Sequence, residues 1–335
     1  MKTNDEIYAI AHYWASRFQG VNFEELPISD YNKRYIRNLK PAFMYYMRIY
    51  ADCLIKGLQQ EVPHFPIGKI TMVDFGGGSG FLSILAKSLG VGRVIYIDHN
   101  PSSVETIRIL TEIVGMGPDD ILQGDENRLR DWCQASNIQP QLLIGTDVIE
   151  HIFSLHQFFE NMNRVNPSMH MIFTTASNPY NPFIQFRLRK MMRGCEIGTL
   201  ESPNYYTLRK AFIQELRPNF SSQELDRWAK RTRGMIYPQI KFALSQNSLP
   251  QPKDSYNTCD PATGNWAERI LPIAVYKELL QPFGLTLKVE KGFYNIERNS
   301  SFLTKICKGI NGLIQHSGAF GFILAPFIIL SCGKK

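Results

Sequence analysis

Three aspartates and a run of glycines carry the chemistry that this sequence can do. Residues 73–81 read VDFGGGSGF, which sets Asp74, Gly76, Gly78 and Gly80 in the spacing D-x-G-x-G-x-G. Glycines spaced in this way let a backbone turn tightly and approach a ligand closely. A helix opening directly after them offers free N–H groups. Asp74, at a strand end, is placed to hold a cationic group such as an α-amino group. Asp98 in YIDHN (96–100) is placed to accept from both hydroxyls of a ribose, as in general nucleotide-binding geometry. A helix N-cap explains Asp98 as well, with Pro101 in the first turn. Asp125 in GDEN (124–127) could accept from an adenine amino group while the next backbone N–H donates to the ring, and a cap is again the alternative. Each acid alone is ambiguous, but three consecutive strands ending in acids are hard to reach by accident.

A dinucleotide fingerprint G-x-G-x-x-G is the obvious competitor for the glycine turn. Begun at Gly76 it needs glycine at position 81, where Phe81 stands; begun at Gly77 it fails at Ser79. The dehydrogenase reading fits poorly.

These residues need elements to hold them. Short β-branched runs, ITMVDF (70–75), RVIYID (93–98), ILQGD (121–125), QLLIGTD (141–147) and MHMIFTTA (169–176), read as strands. Helices are expected between them over 80–89, 102–114, 126–135 and 152–165. Such alternation predicts a parallel sheet covered on both faces. Residues 1–66 read as helical, with apolar side chains from Ile36 to Leu58 at three- and four-residue steps predicting one helix over 31–60. Residues 177–265 hold helices and loops, including an S-x-x-E capping box at Ser221–Glu224. A helix over 266–280, a strand over 285–293, a linker and a terminal strand from Phe327 to Cys332 complete the chain. The expected fold class is α/β: a Rossmann-like, doubly wound, mostly parallel sheet with an antiparallel last strand. The expected parts are an N-terminal helical cap (1–66), the core (67–176), a helical insertion acting as a lid (177–265) and the rest of the core (266–335).

With DFGGGSG, YIDHN, GDEN and TDVIEHI (146–152) in place, the sequence resembles the class I S-adenosylmethionine-dependent methyltransferases. Within them it is most similar to the branch acting on quinones, sugars and other small metabolites, whose fourth strand ends in D-x-x-E-H. The resemblance covers residues 67–176 and the final strands, not the N-terminal helices or the insertion. It implies that Asp74, Gly76, Gly78 and Gly80 line the methionyl part of S-adenosylmethionine. Asp98 would take the ribose, Asp125 and Glu126 flank adenine, and Thr146 and Asp147 face the sulfonium. NPSM (166–169) departs from the family, which has a glycine-rich turn there. Methyl transfer is an in-line displacement in which the cofactor supplies the activation, so the protein aligns the groups and excludes water. A hydroxyl acceptor also needs a base, and His151 in TDVIEHI is the candidate; the alternative is that Glu150–His151 caps the next helix. Asp147, Glu150 and His151 also form a plausible ligand set for magnesium or zinc, as is thought for some quinone O-methyltransferases. SNPY (177–180) mimics the N-P-P-Y motif of nucleic-acid amino-methyltransferases but follows the wrong strand. In DPATGNWAERIL (260–271), which resembles a loop of some bacterial members, Trp266, Glu268 and Arg269 could reach a substrate.

Composition bounds the rest. The 335 residues are 44% hydrophobic and 20% charged, without repeats or low-complexity tracts. Six cysteines lie far apart and form no CxxC pair, which argues against zinc and against a disulfide scaffold. The amphipathic N-terminus does not read as a secretory signal, and a reducing cytoplasm fits. The apolar run 318–332 is short for a bilayer span and contains Pro326, so no integral membrane segment is expected; membrane-surface contact is the alternative. Residues 177–265 carry 13 Lys or Arg against 7 Asp or Glu, which favours an acidic small-molecule substrate there. The expected function is transfer, to oxygen, onto a small molecule or a glycan or lipid intermediate. RNA methylation and non-catalytic cofactor binding are the alternatives.

Overall fold

The computed structural model describes residues 2–198, 204–252, 254–297 and 300–334. The chain divides into two compact units, one of Met1–Val148, His156–Thr175 and Tyr276–Lys335, the other of Ile149–Leu155 and Ala176–Val275.

The first unit opens with α1 (Asn4–Gln19), α2 (Asp30–Leu39) and α3 (Phe43–Glu61). Strands and helices then alternate: β1 (Thr71–Phe75), α4 (Phe81–Ser88), β2 (Arg93–Asp98), α5 (Pro101–Val114), β3 (Asp120–Gln123), α6 (Glu126–Ser136) and β4 (Leu142–Thr146). α7 (Leu155–Val165) and β5 (His170–Thr175) follow. In the second unit lie α8 (Pro182–Ile197), α9 (Tyr205–Leu216), α10 (Ser222–Arg231) and α11 (Tyr237–Ser245). α12 (Ile273–Leu280), β6 (Thr286–Lys291), α13 (Ser301–His316), α14 (Gly321–Leu324) and β7 (Ile328–Gly333) complete the chain.

The seven strands form one sheet in the order β3-β2-β1-β4-β5-β7-β6. β1 to β5 are mutually parallel, and β7 runs antiparallel to both neighbours, pairing Ile172 with Ser331 and Val289 with Leu330. The expected fold class therefore holds, with the antiparallel strand one residue from its expected place. Central strands are covered on both faces, so their side chains are apolar without alternation: Met72 and Val73 in β1 and Val94 to Ile97 in β2 are all buried. α3 lies against β4 and β5, and α1 packs on α3. The contact is close: a methyl group on Gly57 of α3 would stand 2.7 Å from the Leu142 side chain. One apolar core runs from Trp14, Phe18 and Phe43 through Phe81 to Ile144 and Ile172, with Phe18 and Phe81 ring centroids 4.7 Å apart.

Four expected boundaries need correction. The helix over 31–60 is two helices, separated by a 3-10 turn at Lys40–Ala42, because Pro41 cannot donate the hydrogen bond that continues α2. The helix over 152–165 begins only at Leu155. The helix over 266–280 begins at Ile273, just after Pro272, and Trp266 instead pairs in a β-bridge with Cys259. The linker after β6 contains the 16-residue α13, whose Ser300 hydroxyl caps Leu303 N; Gly309 and Gly312 had weakened its helical signature. The run 318–332 splits into a 3-10 turn, α14 and β7. Among the described residues no helix is long and apolar enough to cross a membrane.

Among the described residues, apolar side chains of the second unit cluster around Ile213, Trp228 and Ile240 and around Ile184, Leu188 and Ile270. The capping box at Ser221–Glu224 opens α10 as expected, with Glu224 N donating to Ser221 Oγ at 3.3 Å and Ser221 N to Glu224 Oε2 at 2.8 Å. Glu196, buried in α8, accepts from the fully buried Arg209, from Arg233 at 3.3 Å and from the Thr258 hydroxyl at 2.7 Å.

Candidate functional site

At the carboxyl end of β1 the chain turns through Gly76, Gly78 and Gly80 at φ of +68°, +54° and +79°, a region that residues with a Cβ enter only at a cost. The turn is fastened on several sides. Gly76 N donates to Ile97 O at 2.8 Å, and the Tyr96 hydroxyl donates to Gly78 O at 2.5 Å. A Cβ on Gly76 would stand 2.5 Å from Val148, and one on Gly80 would stand 2.0 Å from Ile107. At Gly78 the nearest atom to a Cβ is the Tyr35 hydroxyl oxygen at 3.9 Å, so this glycine presents an open face.

Asp74 lies beneath the turn. It is fully buried and accepts from the Ser83 hydroxyl at 2.6 Å. Burial pushes its carboxyl up to about 7, opposed by the hydrogen bond from Ser83 and assisted by the charge of Asp98. Asp98, at the end of β2, spends one oxygen on Gly78 N at 2.9 Å and the other on Asn100 N at 2.8 Å. It does not cap α5; Asn100 does, accepting from Ser102 N at 3.0 Å. Each Asp98 oxygen keeps a second lone pair for a hydroxyl donor. Asp125, two residues beyond β3, is the N-cap of α6 and accepts from Asn127 N and Arg128 N at 3.0 and 3.2 Å. Its structural role is the cap, and it is exposed; its neighbour Glu126 is half-buried, with a carboxyl raised by that burial.

Thr146 ends β4 opposite Thr174, and the exposed Asp147 follows at φ +54° with its N–H donating to Thr174 O at 3.0 Å. A non-glycine residue held there is backbone strain of the kind that accumulates at functional sites. Asp147 acts electrostatically on two tyrosines that sequence reasoning missed as site residues. Tyr35 on α2 is 40% exposed, yet desolvation around its hydroxyl, then the Asp147 charge, raises the phenol, with Asp98 contributing as well. Tyr50 on α3 is raised by burial, with Tyr35, Asp74 and Asp147 adding to it. Helices α2 and α3 therefore bring phenols to the same rim as the glycine turn and the acids. The only signal for them was the density of tyrosines at positions 31, 35, 45, 46 and 50.

Two observations make this rim fit for S-adenosylmethionine. Ser79, inside the turn, has a buried hydroxyl with no hydrogen-bond partner among the described residues, and such a group is costly unless a ligand or water meets it. Gly78 leaves an open cradle that a Cβ would begin to fill. In the same unit, a cavity of about 740 Å³ lies along α3, β6 and α13, lined by Arg48, Asp52, Lys56, Glu290, Phe293 and Lys308 among others. Lys56 pairs with Glu290 at 2.9 Å, Tyr8 donates to Asp52, and Arg48 stacks 4.7 Å from the Phe293 ring centre.

His151 belongs to the second unit. Its Nδ1 lies 2.8 Å from Trp266 O, and Trp266 N donates to His151 O at 3.2 Å. A carbonyl only accepts, so Nδ1 carries a proton, and Nε2 is the ring nitrogen left to accept one. Trp266 stacks on Phe153 with ring centres 6.0 Å apart, and Arg269 lies 4.4 Å over Trp266. The stretch 260–271 is a tight loop in which the Asp260 carboxylate holds Ala262 N and the Thr263 hydroxyl. Ser177 donates to Glu268 at 2.8 Å, while Asn178 makes an Asx-turn with Tyr180 N at 2.9 Å. Among the described residues no three His, Cys, Asp or Glu side chains are grouped to hold a metal ion.

No family model matches the chain. A stretch of 38 residues is 55% identical to ribosomal protein L11 methyltransferases of Burkholderia mallei and Burkholderia pseudomallei, covering 11% of this chain and 13% of theirs. The chain thus matches about an eighth of the length of those relatives. In three dimensions it is similar to the plantazolicin methyltransferase BpumL in complex with SAH, at 11% identity over 98% of this chain and 95% of that one, with a TM-score of 0.42. A second similar structure is an S-adenosylmethionine-dependent methyltransferase from Mesorhizobium loti, at 14% identity over 82% and 96%, with a TM-score of 0.41. A third, from Archaeoglobus fulgidus, is 14% identical over 87% and 100%, with a TM-score of 0.37. The strand order and the antiparallel β7 give this chain a Rossmann-like, doubly wound α/β fold.

Proposed function

We propose that the chain is an S-adenosylmethionine-dependent methyltransferase that methylates an oxygen of a small molecule or of a glycan or lipid intermediate. The observation that carries the cofactor is the glycine turn: three left-handed glycines, an open cradle at Gly78 and the orphaned Ser79 hydroxyl on one rim with Asp98 and Asp147. Bound there, the cofactor supplies an electrophilic methyl group on sulfur. In this reading Gly76, Gly78 and Gly80 admit its methionyl part, and Asp74 biases the turn toward a cation from below. Asp98 accepts from ribose hydroxyls; Asp125 and Glu126 border the adenine. Thr146 and Asp147, with Tyr35 and Tyr50, enclose the sulfonium side. His151 accepts the acceptor's hydroxyl proton at Nε2, its tautomer fixed by Trp266 O. In this reading the insertion serves as a lid, and the cations of 177–265 favour an acidic acceptor. The cytoplasm suits six cysteines that form no disulfide.

Calorimetry with S-adenosylhomocysteine tests the cofactor, and the expected result is saturable binding that Gly78→Ala weakens. No heat from either the methyl donor or its demethylated product overturns the reading. His151→Gln is expected to lower turnover on small acceptors about 100-fold with cofactor binding unchanged; unchanged turnover removes His151 as the base.

A further inference from the structure

Two helices, one in each unit, expose large apolar side chains where a surface helix ordinarily shows only polar ones. On α8, Ile184, Leu188 and Met192 face the core, while Phe183 and Phe186 are 81% and 74% exposed on the opposite side, with Ile197 also exposed. On α13, Cys307 and Ile314 are buried, while Phe302, Ile306 and Leu313 recur at four- and seven-residue steps along an exposed stripe, Phe302 at 70%. Phe320 and Ile323 continue the exposure after α13.

Cations accompany both faces. Arg187, Lys190 and Arg193 of α8 are exposed, and none is paired with an acid among the described residues. The one acid of α8, Glu196, is buried against Arg209 and Arg233. α13 carries the exposed Lys305 and Lys308 and no acid. Residues 298–335 hold five Lys or Arg and no Asp or Glu, so the basic bias is shared between the insertion and this segment. An amphipathic helix with aromatic and aliphatic residues on one side and Lys or Arg flanking them has the composition of a helix lying in a lipid headgroup layer. Its long cationic stems reach outward while its apolar side chains enter the acyl boundary. Single-stranded RNA also takes exposed aromatics beside cations, but it has no use for Ile197, Ile306, Leu313 and Ile323, whereas acyl chains do.

We infer that this chain binds an anionic phospholipid surface peripherally, with the exposed face of α8 in one unit and that of α13 in the other each serving separately as a lipid contact. The inference is independent of methyl transfer, so binding alone tests it. The full chain is sedimented with phosphatidylcholine vesicles, with and without phosphatidylserine. Binding that requires phosphatidylserine and falls as salt rises from roughly 0.15 to 1 M is expected. Phe183→Ser/Phe186→Ser and Phe302→Ser/Leu313→Ser change only exposed side chains, and their folding is checked by circular dichroism; each is expected to weaken binding about tenfold or more. Three results overturn the inference: no sedimentation with phosphatidylserine vesicles; binding to a labelled single-stranded RNA, lost in the same variants, in place of vesicle binding; or a dimer in sedimentation equilibrium that these variants dissociate, which would make a second copy the occupant.

Discussion

Gly78 and Gly80 occupy the same kind of backbone and differ in what surrounds them. Gly80→Ala places a methyl group against Ile107, so its cost combines a left-handed penalty of about 1–2 kcal/mol with a repacking cost of about 1–3 kcal/mol. Gly78→Ala meets nothing closer than the Tyr35 oxygen and is expected to cost only about 1 kcal/mol in denaturant titration, while weakening cofactor binding as much as Gly80→Ala does. Asp74 adds a protonic signature. Its folded carboxyl stands at about 7 against an ordinary 3.8, so its contribution to stability is complete below about pH 4 and fades as the pH rises to 7. A cation arriving above the turn lowers that value, so S-adenosylhomocysteine binding near pH 6.5 is expected to release a proton, read as buffer-dependent heat in calorimetry. Asp74→Asn is expected to abolish both the release and the loss of stability between pH 4 and 7. The D-x-G-x-G-x-G spacing made this site legible, because glycine at strained φ is written into residue type. Burial of Asp74 under the turn was not legible, since it depends on Tyr96 and Ser83 arriving from other elements. Tyr35 was hidden for the same reason: nothing local says that α2 lies at the rim.

At the scale of elements, the parallel strands were easy to read because burial on both faces leaves unbroken apolar runs, as in β2. Helix ends were misread where a proline acts at a distance of one or two residues, at Pro41 and Pro272, and α13 was missed because its apolar stripe faces outward and its glycines dilute helix propensity. The charge cluster joining α8, α9 and the loop at Thr258 could not be foreseen either. Burial alone would raise the Glu196 carboxyl, yet Arg209, Thr258 and Arg233 together hold it below the ordinary range. The cluster therefore stabilises the second unit above about pH 4.5 and loses that contribution as the pH falls below it. Glu196→Gln leaves Arg209 buried without its counter-charge and is expected to destabilise this unit by about 3 kcal/mol or more. Protease digestion of the insertion at pH 7 should then be several-fold faster in the variant, with the difference shrinking at pH 4.

At the scale of the whole molecule, β7 lies between β5 and β6 although it follows both in the chain. A ribosome therefore delivers the sheet out of spatial order. β5 emerges with one edge bare, β6 follows with no neighbour to join, and more than thirty residues pass before the strand that joins them is made. Loop closure over such separations is slow, and an open hydrophobic edge invites pairing with other nascent chains. The half-made protein is thus most vulnerable between the synthesis of β6 and that of β7, and a chain cut before Ile328 would lack its keystone.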